Sequence, residues 1–216
     1  SCNVYFYDMI LKYQEKDNYI INMLNEYAEK LGFNHKTGIE IFEKRGRIPD
    51  SDWMVLNEGR RWPKRGSMPN LVIGQGSNAV TPIQVINLIN LIAMEGEAFR
   101  PKIVLNNPSH KFNVSIKKHV WIKLKEAMYS AVNSKGGTAY SLSTDKAIIR
   151  GKTGTAQTTS SSTENLISWF GGYMDYNQKL MSLLVMIEDT NTDTKGIAKA
   201  LSNEIINFEL SRFKDE

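Results

Sequence analysis

Two stretches of the chain carry the same triplet. "NHKTGIE" (Asn34 to Glu40) and "RGKTGTAQ" (Arg150 to Gln157) both contain Lys-Thr-Gly, a string that serves amide-bond chemistry through an activated serine. The downstream copy prolongs the apolar run Ala147-Ile148-Ile149 and is flanked by Gly151. Glycine inside a strand lets a second backbone or a ligand approach closely. There the Lys152 ammonium and the Thr153 and Thr155 hydroxyls would line an edge with which an extended peptide could pair. Such an edge offers backbone donors to an oxyanion, hydroxyls to a carboxylate and a positive charge beside both. The upstream copy sits just past Gly32 and before "EKRGRIP", in turn-forming surroundings. The downstream copy is the chemical one.

Other chemistries find less support. His35, His110 and His119 are isolated from one another in the chain, so no metal-ligand spacing is present. The single cysteine, Cys2, excludes an internal disulfide. Gly74-Gln75-Gly76 lacks the third glycine of a dinucleotide loop. The net charge of +4 over 216 residues is no nucleic-acid signature, and no basic stripe with interleaved stacking aromatics occurs. Trp53, Trp62, Trp121 and Trp169 read as packing residues, with Trp169 in "SWFGGY" near the active sheet. No run of apolar residues is long enough to span a bilayer.

Apolar spacing predicts the elements that must position the downstream triplet. A helix runs from Val4 to about Lys16, and a second carries Ile20, Ile21, Leu24, Tyr27, Ala28 and Leu31 before Gly32 stops it. Residues 33–76 read as a long irregular stretch. "TPIQVINLINLIAMEG" opens a buried helix, with Thr81 and Gln84 placed for a capping box and Pro82 at the first helical position. "FRPKIVLN" reads as a short strand, and Ser115 as the cap of a helix ending near Lys135-Gly136-Gly137. "AIIRGKTGTAQ", "LISWFGGYM" and "KLMSLLVMIED" read as three strands joined by "TSSSTEN" and "DYNQK". A terminal helix, about Gly196 to Phe213, covers one sheet face. Helices followed by a meander and a helix make an α+β class. The expected division is a helical part over about 1–135 and a sheet with its terminal helix over about 145–216.

"SCN" opening "VYFYDMILKY", then "LVIGQGSNAVTPIQVINLI", "AVNSKGGTA", "GKTGTAQ" and "SWFGGYM", in this order, resemble the transpeptidase domain of class B high-molecular-mass penicillin-binding proteins, closest to the elongation-type penicillin-binding protein 2. The resemblance runs from Ser1 to roughly Asp189 and implies a penicillin-binding, serine β-lactamase-like fold. It implies acyl transfer from D-Ala-D-Ala stem peptides to a neighbouring stem during cell-wall elongation, with β-lactam antibiotics as mimics of the dipeptide. Ser1 would shuttle a proton toward the leaving amine, Asn3 would hold substrate, and Lys152 would raise the local positive potential. Thr153, Gly154 and Thr155 would bind substrate, the two threonines holding the terminal carboxylate and the Thr155 N–H forming half of an oxyanion hole. No cofactor is implied. The implied partners are peptidoglycan stem peptides and a membrane glycan polymerase, at the outer face of the bacterial cell membrane with an anchor upstream. Lys36 would be a structural look-alike.

The family's acylated serine lies in a Ser-x-x-Lys motif before Ser-x-Asn. Three Ser-x-x-Lys strings occur here, at Ser115, Ser143 and Ser211, all downstream of Ser1. The chain is thus expected to be a partial transpeptidase domain that begins at Ser-x-Asn and is inactive without the missing N-terminal half. A D,D-carboxypeptidase differs only in acceptor and stays open, as does a non-catalytic interaction module. Asn3 argues against class D β-lactamases and β-lactam sensor domains, which carry Ser-x-Val. The gap of about 150 residues between Asn3 and Lys152 is longer than class A β-lactamases have.

Overall fold

The computed structural model describes residues 2–12, 17–59, 67–158, 165–176 and 178–212. The chain forms two compact units, one of Cys2–Gln84 with Phe99–His110, the other of Val85–Ala98 with Lys111–Glu216. The division follows space rather than chain order, since one unit takes in a loop from beyond the Ile-rich helix.

The sheet unit holds the three predicted strands. β3 (Ile148–Gln157), β4 (Leu166–Tyr176) and β5 (Lys179–Thr190) form an antiparallel meander in that order, and β1 (Glu97–Phe99) pairs with β2 (Lys111–Asn113) apart from it. In register, Lys152 faces Gly171, Thr153 faces Phe170 and Thr155 faces Ser168. Paired residues share a face, so Ile149, Thr153 and Thr155 lie with Phe170 and Met174, while Arg150, Lys152 and Gly154 lie opposite with Tyr173, Gly171 and Trp169. The first face packs into a core of Val132, Leu142, Ile149, Phe170, Met174 and Ile206. That core draws on the helices Lys118–Asn133 and Ile197–Arg212. The latter matches the expected terminal helix, and its start is tied to β4: the Ser168 hydroxyl donates to the Lys195 carbonyl and accepts from the Ala198 amide.

The glycines of "WFGGY" are packing requirements. A Cβ at Gly172 would stand 2.5 Å from the Arg150 carbonyl oxygen, and one at Gly171 would stand 2.6 Å from Ile89 Cδ1. Ile89 thus reaches the sheet on the Lys152 face only because Gly171 is bare.

The other unit packs Ile10, Ile20, Ile21, Met54, Met68 and Leu71 into its own core. Its helices are Asn3–Leu11, Asp17–Lys30, Ser51–Glu58 and Ser67–Val72. The last two correct the reading of residues 33–76 as irregular throughout. Asp50 caps the third helix by accepting from the Trp53 amide at 2.7 Å, a signal present in "PDSDW". The rest of the stretch is held by side chains on backbone: Asn34, at φ +65°, accepts from the Ile48 amide and donates to its carbonyl. The capping box forms as expected. The Thr81 amide donates to Gln84 Oε1 at 3.0 Å and the Gln84 amide to Thr81 Oγ1 at 3.4 Å. Buried Gln84 also donates to the His35 and Arg45 carbonyls.

Two more expectations need correction. Of "FRPKIVLN" only Phe99 is in a strand. Pro101 has no N–H to give a ladder, and residues 104–107 close a turn through the Asn107 amide on the Val104 carbonyl. Ser115 caps nothing: the helix begins at Lys118, because Val114 bonds to Gly96 and keeps the approach extended. The "TSSSTEN" connection lies largely outside the described residues, as do Asn177, Trp62 and Ser1. The hairpin is closed at its base by Thr158 donating to the Asn165 carbonyl from both amide and hydroxyl.

Candidate active site

β3 is an edge strand among the described residues, and the direction of its backbone groups can be read from its two ends. The Thr158 amide bonds toward β4, to Asn165. N–H and C=O directions alternate along a strand, so even-numbered residues of β3 face β4 and odd-numbered ones face outward. The other end agrees: the outward Ile149 carbonyl accepts from Asn133 Nδ2 at 2.8 Å. Gly151, Thr153 and Thr155 therefore turn their backbone groups to the outer edge. This is where an added extended chain would find its hydrogen bonds.

The side chains of the triplet divide between the two faces of that edge. The Thr153 hydroxyl donates to the Thr138 hydroxyl at 3.0 Å, and Lys199 Nζ donates to the Thr138 carbonyl at 3.3 Å. On the opposite face Lys152 Nζ donates to the Thr153 carbonyl at 2.5 Å. Much of the Lys152 residue is open to solvent, yet its ammonium is sufficiently enclosed that desolvation pulls its pKa below the ordinary lysine value. Gly154 keeps the strand close to Trp169, whose Cβ a Gly154 Cβ would meet at 3.3 Å. Trp169 thus lies beside β3, as its sequence context implied.

Asn3 opens the first helix of the other unit and is exposed. Ser115 and Ser143 are both exposed. Ser143 donates to Asn133 Oδ1 at 3.4 Å and so orients the amide that caps Ile149. Sequence reasoning missed Asn133 and Thr138 as site neighbours, although both stand in the quoted string "AVNSKGGTA". It also passed over Arg150, which shares the face of Lys152 and lies between the Tyr129 and Tyr173 rings, 5.8 and 5.7 Å from their centroids.

The upstream triplet has a different geometry. The Thr37 amide and hydroxyl donate to Glu43 Oε2 at 2.9 and 2.8 Å, and the Gly38 amide donates to Oε1 at 2.7 Å. Burial pushes the Glu43 carboxyl up, but these donors outweigh it and hold the pKa below the usual carboxylate value. The donors of this copy are used inside its own loop.

Residues 1–207 match the sequence model of the penicillin binding protein transpeptidase domain. The chain belongs to this family. The peptidoglycan D,D-transpeptidase MrdA of Acinetobacter baumannii is 32% identical over 169 residues, covering 73% of this chain and 24% of that protein. The structure of penicillin-binding protein 2 with MreC from Helicobacter pylori superposes with a TM-score of 0.76 at 26% identity, covering 95% of this chain and 38% of that one. A peptidoglycan synthase complex gives a TM-score of 0.80 at 23% identity, covering 94% of this chain and 35% of that one, a likeness of fold. The chain therefore spans about a quarter of the MrdA relative's length, and its helices and antiparallel sheet are those of the penicillin-binding α+β fold.

Proposed function

We propose that this chain supplies the substrate-holding part of a serine-type D,D-transpeptidase that cross-links peptidoglycan stem peptides during cell-wall elongation. The observation that carries the reading is the outward edge of β3, where odd-numbered backbone groups face away from β4 and the Lys152–Thr155 string lies along them. A stem peptide pairs with this edge as an added strand. Its terminal carboxylate meets the Thr155 hydroxyl and, once that turns from Thr138, the Thr153 hydroxyl, the Lys152 ammonium reaching the edge from the opposite face, with Gly154 letting the strand lie against Trp169. The Thr155 N–H donates to the oxyanion as the scissile carbonyl turns tetrahedral; one such donor is worth ~3–4 kcal/mol in the transition state.

The covalent steps need a serine–lysine pair from outside residues 1–216. Its hydroxyl attacks the D-Ala-D-Ala carbonyl, the proton passes by way of Ser1 to the leaving amine, and terminal D-Ala departs. A neighbouring stem's amine then displaces the serine, which recovers a proton. Asn3 holds a substrate amide or lysine by its side chain. β-Lactams occupy the same edge. The parent protein works at the outer face of the cell membrane beside a glycan polymerase; the similar penicillin-binding protein 2 of Helicobacter pylori was solved in complex with MreC. With water as acceptor the same site is a D,D-carboxypeptidase.

The test is a titration of the isotopically labelled chain with an acylated D-Ala-D-Ala peptide, followed by amide NMR. Shifts confined to residues 151–156, absent with the L-Ala-L-Ala isomer, are expected. Equal shifts with both isomers, or none at β3, would sink the reading. Intact mass after incubation with a labelled penicillin should show no adduct.

A further inference from the structure

The unit built from Cys2–Gln84 and Phe99–His110 carries a second surface, unrelated to the β3 edge. Glu40 clips two loops together: it accepts from the Ile103 amide and from Asn107 Nδ2, both at 2.8 Å. The first of these bonds is the main reason its carboxyl stays below the ordinary pKa. Lys102 tightens the second loop by donating to the Leu105 and Asn107 carbonyls. The clip joins the loop that carries Ile41 and Phe42 to the loop that carries Ile103, Val104 and Leu105. All five are exposed, Phe42 to 86% and Leu105 to 85%.

Solvent-facing turns are normally built from Gly, Asn, Asp and Ser, and large apolar side chains exposed on two loops held together in this way mark a contact site. The rim indicates what it contacts. Lys44, Arg45, Arg100 and Lys102 are exposed and form no ion pair among the described residues. No acidic residue lies between Phe99 and Lys111, and the two carboxylates in the first loop, Glu40 and Glu43, are both occupied by hydrogen bonds. Protruding aliphatic and phenyl groups within a basic rim suit the interface of an anionic bilayer, where apolar side chains enter the acyl boundary and cations meet headgroups.

We propose that the tip formed by Ile41, Phe42 and Ile103–Leu105 docks on an anionic lipid surface. Flotation of the full chain with vesicles tests this, comparing phosphatidylcholine alone with equal parts phosphatidylcholine and phosphatidylglycerol. The chain is expected to float only with the anionic vesicles and to be released as salt screens the rim. The double substitution Phe42→Ser with Leu105→Ser lowers the bound fraction about tenfold, as does Lys44→Glu with Arg45→Glu. Val4→Ser with Tyr5→Ser, on the exposed side of the first helix, leaves it unchanged. Because Phe42 and Leu105 touch little else, the serine variant should melt at the wild-type temperature; should it fail to fold, the charge variant and the salt dependence decide. The proposal falls if the chain stays unbound, if binding ignores phosphatidylglycerol, or if the Val4 and Tyr5 changes abolish it. It falls equally if the tip drives only self-association, seen by sedimentation and lost in the serine variant.

Discussion

The two Lys-Thr-Gly copies share three residue types and differ in what their backbone is free to do. At Thr37 and Gly38 the amides and the hydroxyl all converge on Glu43. At Thr153 the backbone faces an outer edge, and the hydroxyl is held by Thr138 in a line leading to Lys199. Under the proposed function a triplet serves as a binding device when its backbone lies along the outer edge of a sheet, and it is a loop staple when the chain supplies its own carboxylate. The motif is the same; the neighbouring acid decides.

Destroying the edge itself has the largest expected effect. Gly172→Ala puts a methyl group against the Arg150 carbonyl, an obstacle that no rotamer change removes. A loss of about 3 kcal/mol is expected, visible as a lowered thermal melt and as loss of peptide binding at β3. Lys152→Met comes next. It keeps the apolar stem but removes the ammonium, so affinity for a carboxylate-terminated peptide should fall roughly tenfold to a hundredfold by calorimetry. Lys36→Met should leave that affinity untouched; an equal loss from both would erase the distinction between the copies.

The upstream copy responds more weakly. Glu43→Ala strands the Thr37 and Gly38 donors and should cost roughly 1 kcal/mol in chemical denaturation, with peptide binding at β3 preserved. The smallest effect is a titration. Desolvation lowers the Lys152 pKa, whereas the Glu26 hydrogen bond raises that of Lys30. In side-chain carbon NMR, Lys152 should lose its proton at lower pH than Lys30. The sign for stability follows. The folded state bears the cost of enclosing a charged ammonium while Lys152 is protonated. That cost is relieved as pH rises through the depressed folded pKa, so the Lys152 contribution to stability increases there.

The regular parts of this molecule were legible in the sequence because their information is local. The alternation in "AIIRGKTGTAQ" and "KLMSLLVMIED" and the Thr81–Gln84 box need only neighbouring residues to be read, and β3, β5 and the capped helix follow. The helix at Ser51–Glu58 was readable too, through Asp50, but its weak apolar stripe hid it among turn formers. What could not be read was long-range. Glu43 closing on Thr37, Asn133 reaching Ile149 and Thr138 meeting Thr153 join residues whose types suit many partners, and only the fold chooses among them. The Ile103–Leu105 segment misled because its apolar run has the composition of a strand, while Pro101 and the Lys102 clamp bend it into a turn.

The amide of Asn133 on the Ile149 carbonyl has a consequence for any guest strand. Ladder pairing is degenerate in steps of two residues, so a guest on a bare edge can slide and still satisfy its hydrogen bonds. Here the rung before Gly151 is already taken. The edge behaves as a ruler with a closed end, and a peptide laid against it is measured from that end.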